Sequence, residues 1–188
     1  VTRTERRADE VPATVTVETA EQIEQRGARD LKDLLRHEVD VTVRAAQPRF
    51  GLAVPAIGRA GNEGINIRGL EGNQVLMLVD GIRVPQSFQF GPIVFGRVDY
   101  LMLDGAQTVE VLRGPASAQF GSDGLAGALA VRTLEPQDLL RPGRDHGGFV
   151  RLGGTTLGDS HALTVAGAWQ GGGWRALLLG NQRDGHET

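Results

Sequence analysis

The sequence predicts an α+β domain with a small mixed sheet, followed by antiparallel β-strands of a truncated transmembrane β-barrel. The first part, up to residue 133, contains short apolar segments of helical and of strand-like spacing in turn. The part after residue 147 contains three segments of strand length with weak alternation, which is typical of outer-membrane barrels. Glycine supplies 27 of 188 residues, which indicates many tight turns.

The N-terminal elements are predicted from capping residues. After a strand at 13–17, Thr19 is a suitable N-cap for a helix from Ala20 to Arg26, and Gly27 suits its end. A second helix is predicted over 31–37, because its leucines fall on one face.

The middle of the chain is predicted as strands separated by two long irregular stretches. Valines alternate with polar residues over Val39–Val43, as in a half-buried strand. The irregular stretches, 44–63 and 84–101, are rich in proline and glycine, and loops of this length are often functional. The sheet is expected to contain Ile65–Arg68, Val75–Val79 and Val109–Leu112, with Val75–Val79 the most buried strand. Asp80-Gly81 is a hairpin signal.

The last part of the chain resembles a meander of hairpins. Its segments are 149–155, 161–170 and 174–182, with glycine-containing breaks between them. Trp169 and Trp174 flank one turn, as tryptophans of an interfacial girdle do. An ordinary soluble meander is the alternative.

Composition excludes several classes of function. The chain has no cysteine, so disulfide frameworks and thiolate metal sites are excluded. A formal net charge of -3 gives no sign of a nucleic-acid partner. The four histidines are scattered without metal-ligand spacing, and no catalytic triad or phosphate loop is present. We therefore expect no catalytic residues, no metal site, no intrinsic cofactor and no enzyme activity.

Arg68 and Arg113 are the charged residues that stand out. Each follows an apolar strand and precedes a glycine. A buried arginine needs a carboxylate partner, and nearby acids are not in obvious excess. The partners could lie on another element, or both side chains could simply be exposed at strand ends.

Four motifs in order resemble the plug domain of TonB-dependent outer-membrane receptors over roughly residues 13–133. They are Thr19–Leu35, Asn66–Leu70 (NIRGL), Val75–Arg83 (VLMLVDGIR) and Val109–Ser122 (VEVLRGPASAQFGS). One departure is that Glu38-Val39-Asp40 stands where the family usually has Pro-Gly after the second helix.

The resemblance implies a plug folded inside a 22-stranded barrel and remodelled by TonB. It divides the chain into a mobile lead-in after the TonB box (1–12), a plug (13–135), a linker (136–147) and the first, incomplete barrel strands (148–188). TonB would bind a segment at or upstream of Val1. In the family, the positions of Arg68 and Arg113 face acidic residues of the barrel wall, so plug–barrel contact is expected for both.

The cargo implied is haem from haemoproteins. Gly121–Gly127, Leu134–Leu140 and Gln182–Glu187 are similar to the haem and haemoglobin receptor branch. Loops held by a rigid scaffold often bind ligands, so cargo contact is expected from both irregular stretches, 44–63 and 84–101, with aromatics of the second supplying apolar or stacking surface. The aromatics are Phe88, Phe90, Phe95 and Tyr100. These aromatics could instead only fill space beneath the loops, and Tyr100 is more readily a stacking aromatic than an axial ligand.

The resemblance also implies location and completeness. A mature chain without its signal peptide, in the outer membrane of a Gram-negative bacterium, is expected. Three strands cannot close a barrel, so the chain is expected to be a fragment that meets the membrane through a missing barrel. The rivals left open are a ferric-siderophore receptor of the same class and a soluble binding or interaction module.

Overall fold

The computed structural model describes residues 14–28, 30–44, 64–87, 89–90, 93–94, 103–116, 122–155 and 160–184. The chain divides into two compact units, one ending at Arg132 and one beginning at Thr133. The expected lead-in at 1–12 and most of the two long irregular stretches lie outside the described residues. No helix of the described residues is long and apolar enough to cross a membrane.

The helices and strands are named here in chain order. The helices are α1 (Ala20–Arg26), α2 (Leu31–Leu35) and α3 (Pro136–Leu139). The strands are β1 (Thr14–Thr19), β2 (Val41–Arg44), β3 (Gly64–Ile67), β4 (Leu70–Glu71), β5 (Val75–Val79), β6 (Ile82–Arg83), β7 (Gln89–Phe90), β8 (Ile93–Val94), β9 (Ala106–Arg113), β10 (Gly127–Thr133), β11 (His146–Thr155), β12 (Ser160–Gly171) and β13 (Trp174–Asp184).

The predicted caps of the first helix are present. The hydroxyl of Thr19 accepts a hydrogen bond from the backbone N–H of Gln22, whose side chain accepts one from the Thr19 N–H in return. Two otherwise unsatisfied N–H groups are thereby satisfied. Gly27 ends α1 in the left-handed conformation (φ 63°). Asp30 caps α2 through a 2.7 Å hydrogen bond from the Asp33 N–H.

The main sheet of the first unit is mixed and has the order β1-β9-β10-β5-β6. β1 is antiparallel to β9, whereas β10 lies parallel to β5. The four residues from Val75 to Leu78 are at most 4% exposed, so β5 is strongly buried as predicted. Its continuous apolar run is what a strand covered on both faces requires.

One sequence expectation about this sheet is wrong. Residues 64–67 form β3 of a separate three-stranded sheet with the order β2-β3-β4 and do not pair with β5. Ile65 and Ile67 are nevertheless buried in the same core cluster as Val75 and Met77. An apolar strand can therefore belong to the core by packing across a neighbouring sheet instead of by hydrogen bonding to it.

The core of the first unit is built from α1, α2 and the two larger sheets. One face of α2 supplies Leu31, Leu34 and Leu35, all at most 1% exposed. They belong to the same cluster as Val109 and Leu129 of the central strands. Full burial of each large aliphatic side chain contributes about 2 kcal/mol to the stability of the fold. The packed core therefore holds the sheets in place, and with them the ends of the loops that leave the sheets.

The second unit contains the antiparallel sheet β11-β12-β13. The β12–β13 turn has only two residues, Gly172 and Gly173, both with positive φ (57° and 82°). This is the conformation that two-residue hairpins favour and that glycine adopts without strain.

The segment 136–147, predicted as a linker, begins with a short helix. This helix, α3, has a capping box and a proline in its first turn. A Cβ at Gly147 would lie only 2.0 Å from the carbonyl oxygen of Leu139, so the helix backbone lies directly against β11. Proline, which breaks helices internally, fits the first turn.

Candidate functional site

Glu38, Val39 and Asp40 form a turn between α2 and β2, which we call the carboxylate turn. The sequence predicts Val39 as an inward residue of a strand, but the strand begins at Val41 and Val39 is 69% exposed. Asp40 has a φ of 65°. This left-handed conformation lies directly before β2, and Asp tolerates it better than a β-branched residue would.

Arg113, at the end of β9, binds the carboxylate turn from the sheet side. Its Nη1 lies 3.4 Å from Oε2 of Glu38 and donates to the Val39 carbonyl oxygen at 3.0 Å. Its Nη2 donates to Oγ1 of Thr16 on β1 at 2.7 Å, and this hydroxyl donates onward to Oε2 of Glu38 at 3.0 Å. The Arg113 and Glu38 side chains are only 11% and 13% exposed. Water therefore screens this pair weakly.

Arg68 binds the other end of the same turn, at the surface. Its Nε donates to Oδ2 of Asp40 at 3.1 Å, and its backbone N–H donates to the Asp40 carbonyl oxygen at 3.0 Å. The two side chains are 53% and 45% exposed, so this pair is solvated and weak.

Arg68 also occupies an unusual backbone conformation. With Gly69 it forms the two-residue turn between β3 and β4, where both residues have positive φ (54° and 87°). Asn or Gly would fit this position better, and arginine costs on the order of 1 kcal/mol there. A strained arginine that is half exposed is better explained by a functional contact than by turn stability.

Both arginines have a carboxylate partner on another element, which is one of the two alternatives that the sequence left open. The carboxylate turn supplies one acid to each of them. The structure brings Arg68 and Arg113 to one three-residue segment, and the signal was in the sequence: the two acids that replace Pro-Gly after the second helix. Sequence reasoning missed Thr16, because nothing in a strand pattern distinguishes one threonine from the next.

A second polar cluster holds the start of the irregular stretch 84–101. The Asn73 side chain accepts hydrogen bonds from the N–H and the hydroxyl of Ser87 and donates to the Ser87 carbonyl oxygen. Asp123 accepts hydrogen bonds from Gln86 at 2.9 Å and from Arg83 at 3.4 Å. These hydrogen bonds therefore fix the first residues of the stretch 84–101 against the rest of the plug. Phe88, Phe95 and Tyr100 lie outside the described residues, as does the side chain of Phe90.

One face of the second unit is apolar and exposed. Alternate residues of its three strands point to this face, and large apolar side chains there are 40% to 81% exposed: Val150, Leu152, Leu163, Val165, Trp169, Trp174 and Leu178. On the opposite face of β12, Thr164, Ala166 and Ala168 are buried. Trp169 and Trp174 lie at the end of the sheet where the two-residue turn is. An apolar face with aromatic residues at one end is the pattern of a membrane-spanning sheet.

Neither a metal site nor a catalytic centre emerges from the described geometry. Within the described ranges, no group of three or more His, Cys, Asp or Glu side chains is placed to hold a metal ion. The arrangement built around the carboxylate turn can bind charge and fix a strand.

Comparison with known proteins decides the family. Residues 7–128 match the family model described as TonB-dependent Receptor Plug Domain. This chain belongs to that family. The predicted α+β plug with a mixed sheet, followed by antiparallel strands, is confirmed, and the family is one of receptors and not of enzymes.

Three curated relatives cover most of the chain. Lactoferrin-binding protein A of Neisseria meningitidis is 27% identical over 180 residues, 92% of this chain and 18% of that protein. Probable hemoglobin and hemoglobin-haptoglobin-binding protein 4 of Haemophilus influenzae is 29% identical over 183 residues, 92% of this chain and 17% of that protein. The hemin receptor of Yersinia enterocolitica is 32% identical over 164 residues, 86% of this chain and 21% of that protein. The plug chain thus spans about a fifth of the length of these relatives.

Solved structures share the fold. The hemophore receptor HasR of Serratia marcescens, solved with its hemophore HasA and heme, matches with a TM-score of 0.70 and 24% identity over 90% of this chain and 24% of that chain. The pyoverdine outer membrane receptor FpvA of Pseudomonas aeruginosa matches with a TM-score of 0.66 and 19% identity over 95% of this chain and 23% of that chain.

Proposed function

We propose that this chain is the plug and the first barrel strands of a TonB-dependent receptor in the outer membrane of a Gram-negative bacterium. The single observation that carries the membrane location is the exposed apolar face of β11–β13, which water would not favour. Membership of the plug family supports the receptor class. TonB binds a segment at or before Val1, and its pull on that segment opens the plug.

The cargo we propose is haem taken from haemoproteins. Two relatives that cover most of the chain are a hemin receptor and a probable hemoglobin-binding protein, and HasR shares the fold. The alternative is a ferric siderophore, which the likeness to a pyoverdine receptor favours. The hydrogen bonds that fix the first residues of the stretch 84–101 favour binding of either cargo, because a partly ordered loop loses less conformational entropy on binding.

Titration of the full-length receptor with haem, and separately with ferric siderophores, tests the cargo. We expect haem, and not the siderophores, to produce a saturable change in the absorbance spectrum. Replacement of Phe88, Phe90, Phe95 and Tyr100 by Ser should weaken haem binding about tenfold or more, because each aromatic contributes on the order of 1 kcal/mol of stacking. Unchanged haem affinity in a folded variant would contradict the role of these side chains, and siderophore binding alone would establish the alternative.

Plug–barrel contact by Arg68 can be separated from its role in the turn. Asn tolerates positive φ, so Arg68→Asn should change plug stability by less than about 1 kcal/mol. If Arg68 faces a carboxylate of the barrel wall, uptake of cargo should nevertheless fall about tenfold or more, since that carboxylate loses its partner.

Asp40→Asn is the matched control for this experiment. It removes the internal partner of Arg68 but keeps its positive charge, and Asn is suited to the positive φ at position 40. Uptake by this variant should stay near that of the unmodified receptor. Equal loss of uptake in both variants would assign the function to the internal ion pair and not to the barrel contact.

A further inference from the structure

The strand β1 lies at an edge of the main sheet and is the first described element of the chain. It pairs on one side only, with β9, and Thr14 at its beginning lies opposite Arg113 at the end of that strand. Of the described elements, β1 is therefore the first in the chain to meet a force on the N-terminal segment. The contacts that hold β1 therefore decide how easily the pulled strand separates from the sheet.

Polar side chains at three positions, Thr16, Glu18 and Thr19, hold β1 within the described part of the chain. Near its C-terminal end, Glu18 is paired with Arg26 of α1 at 2.9 Å. This contact is local in sequence, so it moves together with the strand and the helix that follows. Near its N-terminal end, Thr16 bonds to Glu38 and to Arg113, which are 22 and 97 residues away. Of these side-chain contacts, those of Thr16 tie β1 to distant parts of the plug, in addition to the backbone ladder with β9.

We propose that Thr16, Glu38 and Arg113 form a latch that keeps β1 on the sheet until the N-terminal segment is pulled. The Thr16 hydroxyl accepts from Arg113 and donates to Glu38, while Arg113 and Glu38 also lie 3.4 Å apart. The three groups thus close a ring in which each contact polarises the others. Removal of the hydroxyl breaks two of its three sides.

The place of the latch fits this role. Thr16 is the third residue of β1, so a pull from the N-terminus loads the latch before most of the β1–β9 ladder. The partners are firmly held, because Arg113 also binds the Val39 carbonyl oxygen and Glu38 follows the buried helix α2. The Nε of Arg113 is buried without a hydrogen-bond partner, a cost that the ring must offset. This proposal rests on the proposed function only for the origin of the pull.

Hydrogen exchange of the full-length receptor, without TonB or cargo, tests the latch. Thr16→Val keeps the side-chain shape and removes the hydroxyl. We expect the β1 amides that pair with β9 to exchange about tenfold faster, because hydrogen bonds to charged groups are lost. Amides of β5 should keep their protection. The matched control is Thr14→Val, the same change at an exposed position of the same strand, and it should leave β1 protection unchanged.

Thr16→Ser retains the hydroxyl and should retain the protection of β1. The latch is overturned if Thr16→Val leaves β1 exchange as it is, or if β5 exchange rises by the same factor as that of β1. Since this measurement needs neither TonB nor cargo, it separates the two proposals. Absence of energised uptake in the unmodified receptor would refute the proposed function and leave the latch standing, whereas unchanged β1 exchange beside normal uptake would refute the latch alone.

A direct pull provides the second measurement. With the receptor held in a bilayer and its N-terminus attached to a force probe, the first rupture should occur about tenfold faster at a given force in Thr16→Val than in Thr14→Val. Equal rupture rates in the two variants would show that the β1–β9 ladder, and not the latch, sets the resistance.

Discussion

Replacement of Gly127 by Ala should cost the plug about 3 kcal/mol of stability or more. A Cβ at this position would lie 2.2 Å from the carbonyl oxygen of Leu112 on the neighbouring strand and 3.0 Å from Cδ1 of Ile67. Side chains can rotate away from a new methyl group, but a carbonyl in the centre of a sheet cannot move without breaking the ladder. β9, β10 and β3 would therefore have to separate.

Gly64→Ala is the control for this prediction. Among the described residues, a Cβ there would meet nothing within 4 Å, and Gly64 does not have positive φ. Alanine should be neutral or slightly stabilising, because it restricts the unfolded chain. Exchange of β5 amides is a suitable measurement, since both tryptophans lie outside the plug and their fluorescence would not report on it. Similar stabilities of the two variants would show that the strands approach less closely than described.

Replacement of Arg113 by Ala should cost about 3 kcal/mol of plug stability, whereas Arg68→Ala should cost less than about 1 kcal/mol. The difference follows from burial: Glu38 would be left as a nearly buried carboxylate without a counter-ion, while Asp40 would remain hydrated. Exchange of β5 amides in the two variants measures both losses on one scale.

A double variant distinguishes ion pairing from simple loss of packing. Arg113→Ala combined with Glu38→Ala removes the uncompensated charge, so its loss of stability should be smaller than the sum of the two single losses. Strict additivity would mean that the 3.4 Å contact carries no energy, and Arg113 would then act through packing and through Thr16.

The parts of the fold that the sequence predicts are those set by local chemistry. Thr19 marks the start of α1 because its side chain accepts a hydrogen bond from an N–H of the first turn, and Gly27 marks the end because glycine adopts positive φ without strain. The apolar run at Val75–Val79 predicts a buried strand because five consecutive apolar side chains need cover on both faces of a sheet. Asp80-Gly81 forms the predicted two-residue turn, with positive φ at both positions.

The parts that escape prediction depend on distant partners. Nothing near Ile65 states that its strand pairs with β2 instead of β5, since both positions bury the same apolar side chains. The parallel pairing of β10 with β5 is likewise decided by topology. Arg113 was recognisable as a residue in need of a carboxylate, yet its choice of Glu38 depends on where α2 ends.

The pairing of β1 with β9 also has a consequence for the order of folding. Thr19 pairs with Thr108 and Thr14 with Arg113, so β1, the first described strand, cannot pair until β9, one of the last strands of the plug, has been synthesised. Closing so large a loop has an entropy cost that local contacts do not repay, which makes the step slow. The central β5–β10 pair also forms only after residue 131 is available. We therefore expect β1 to join the sheet as a late event in folding.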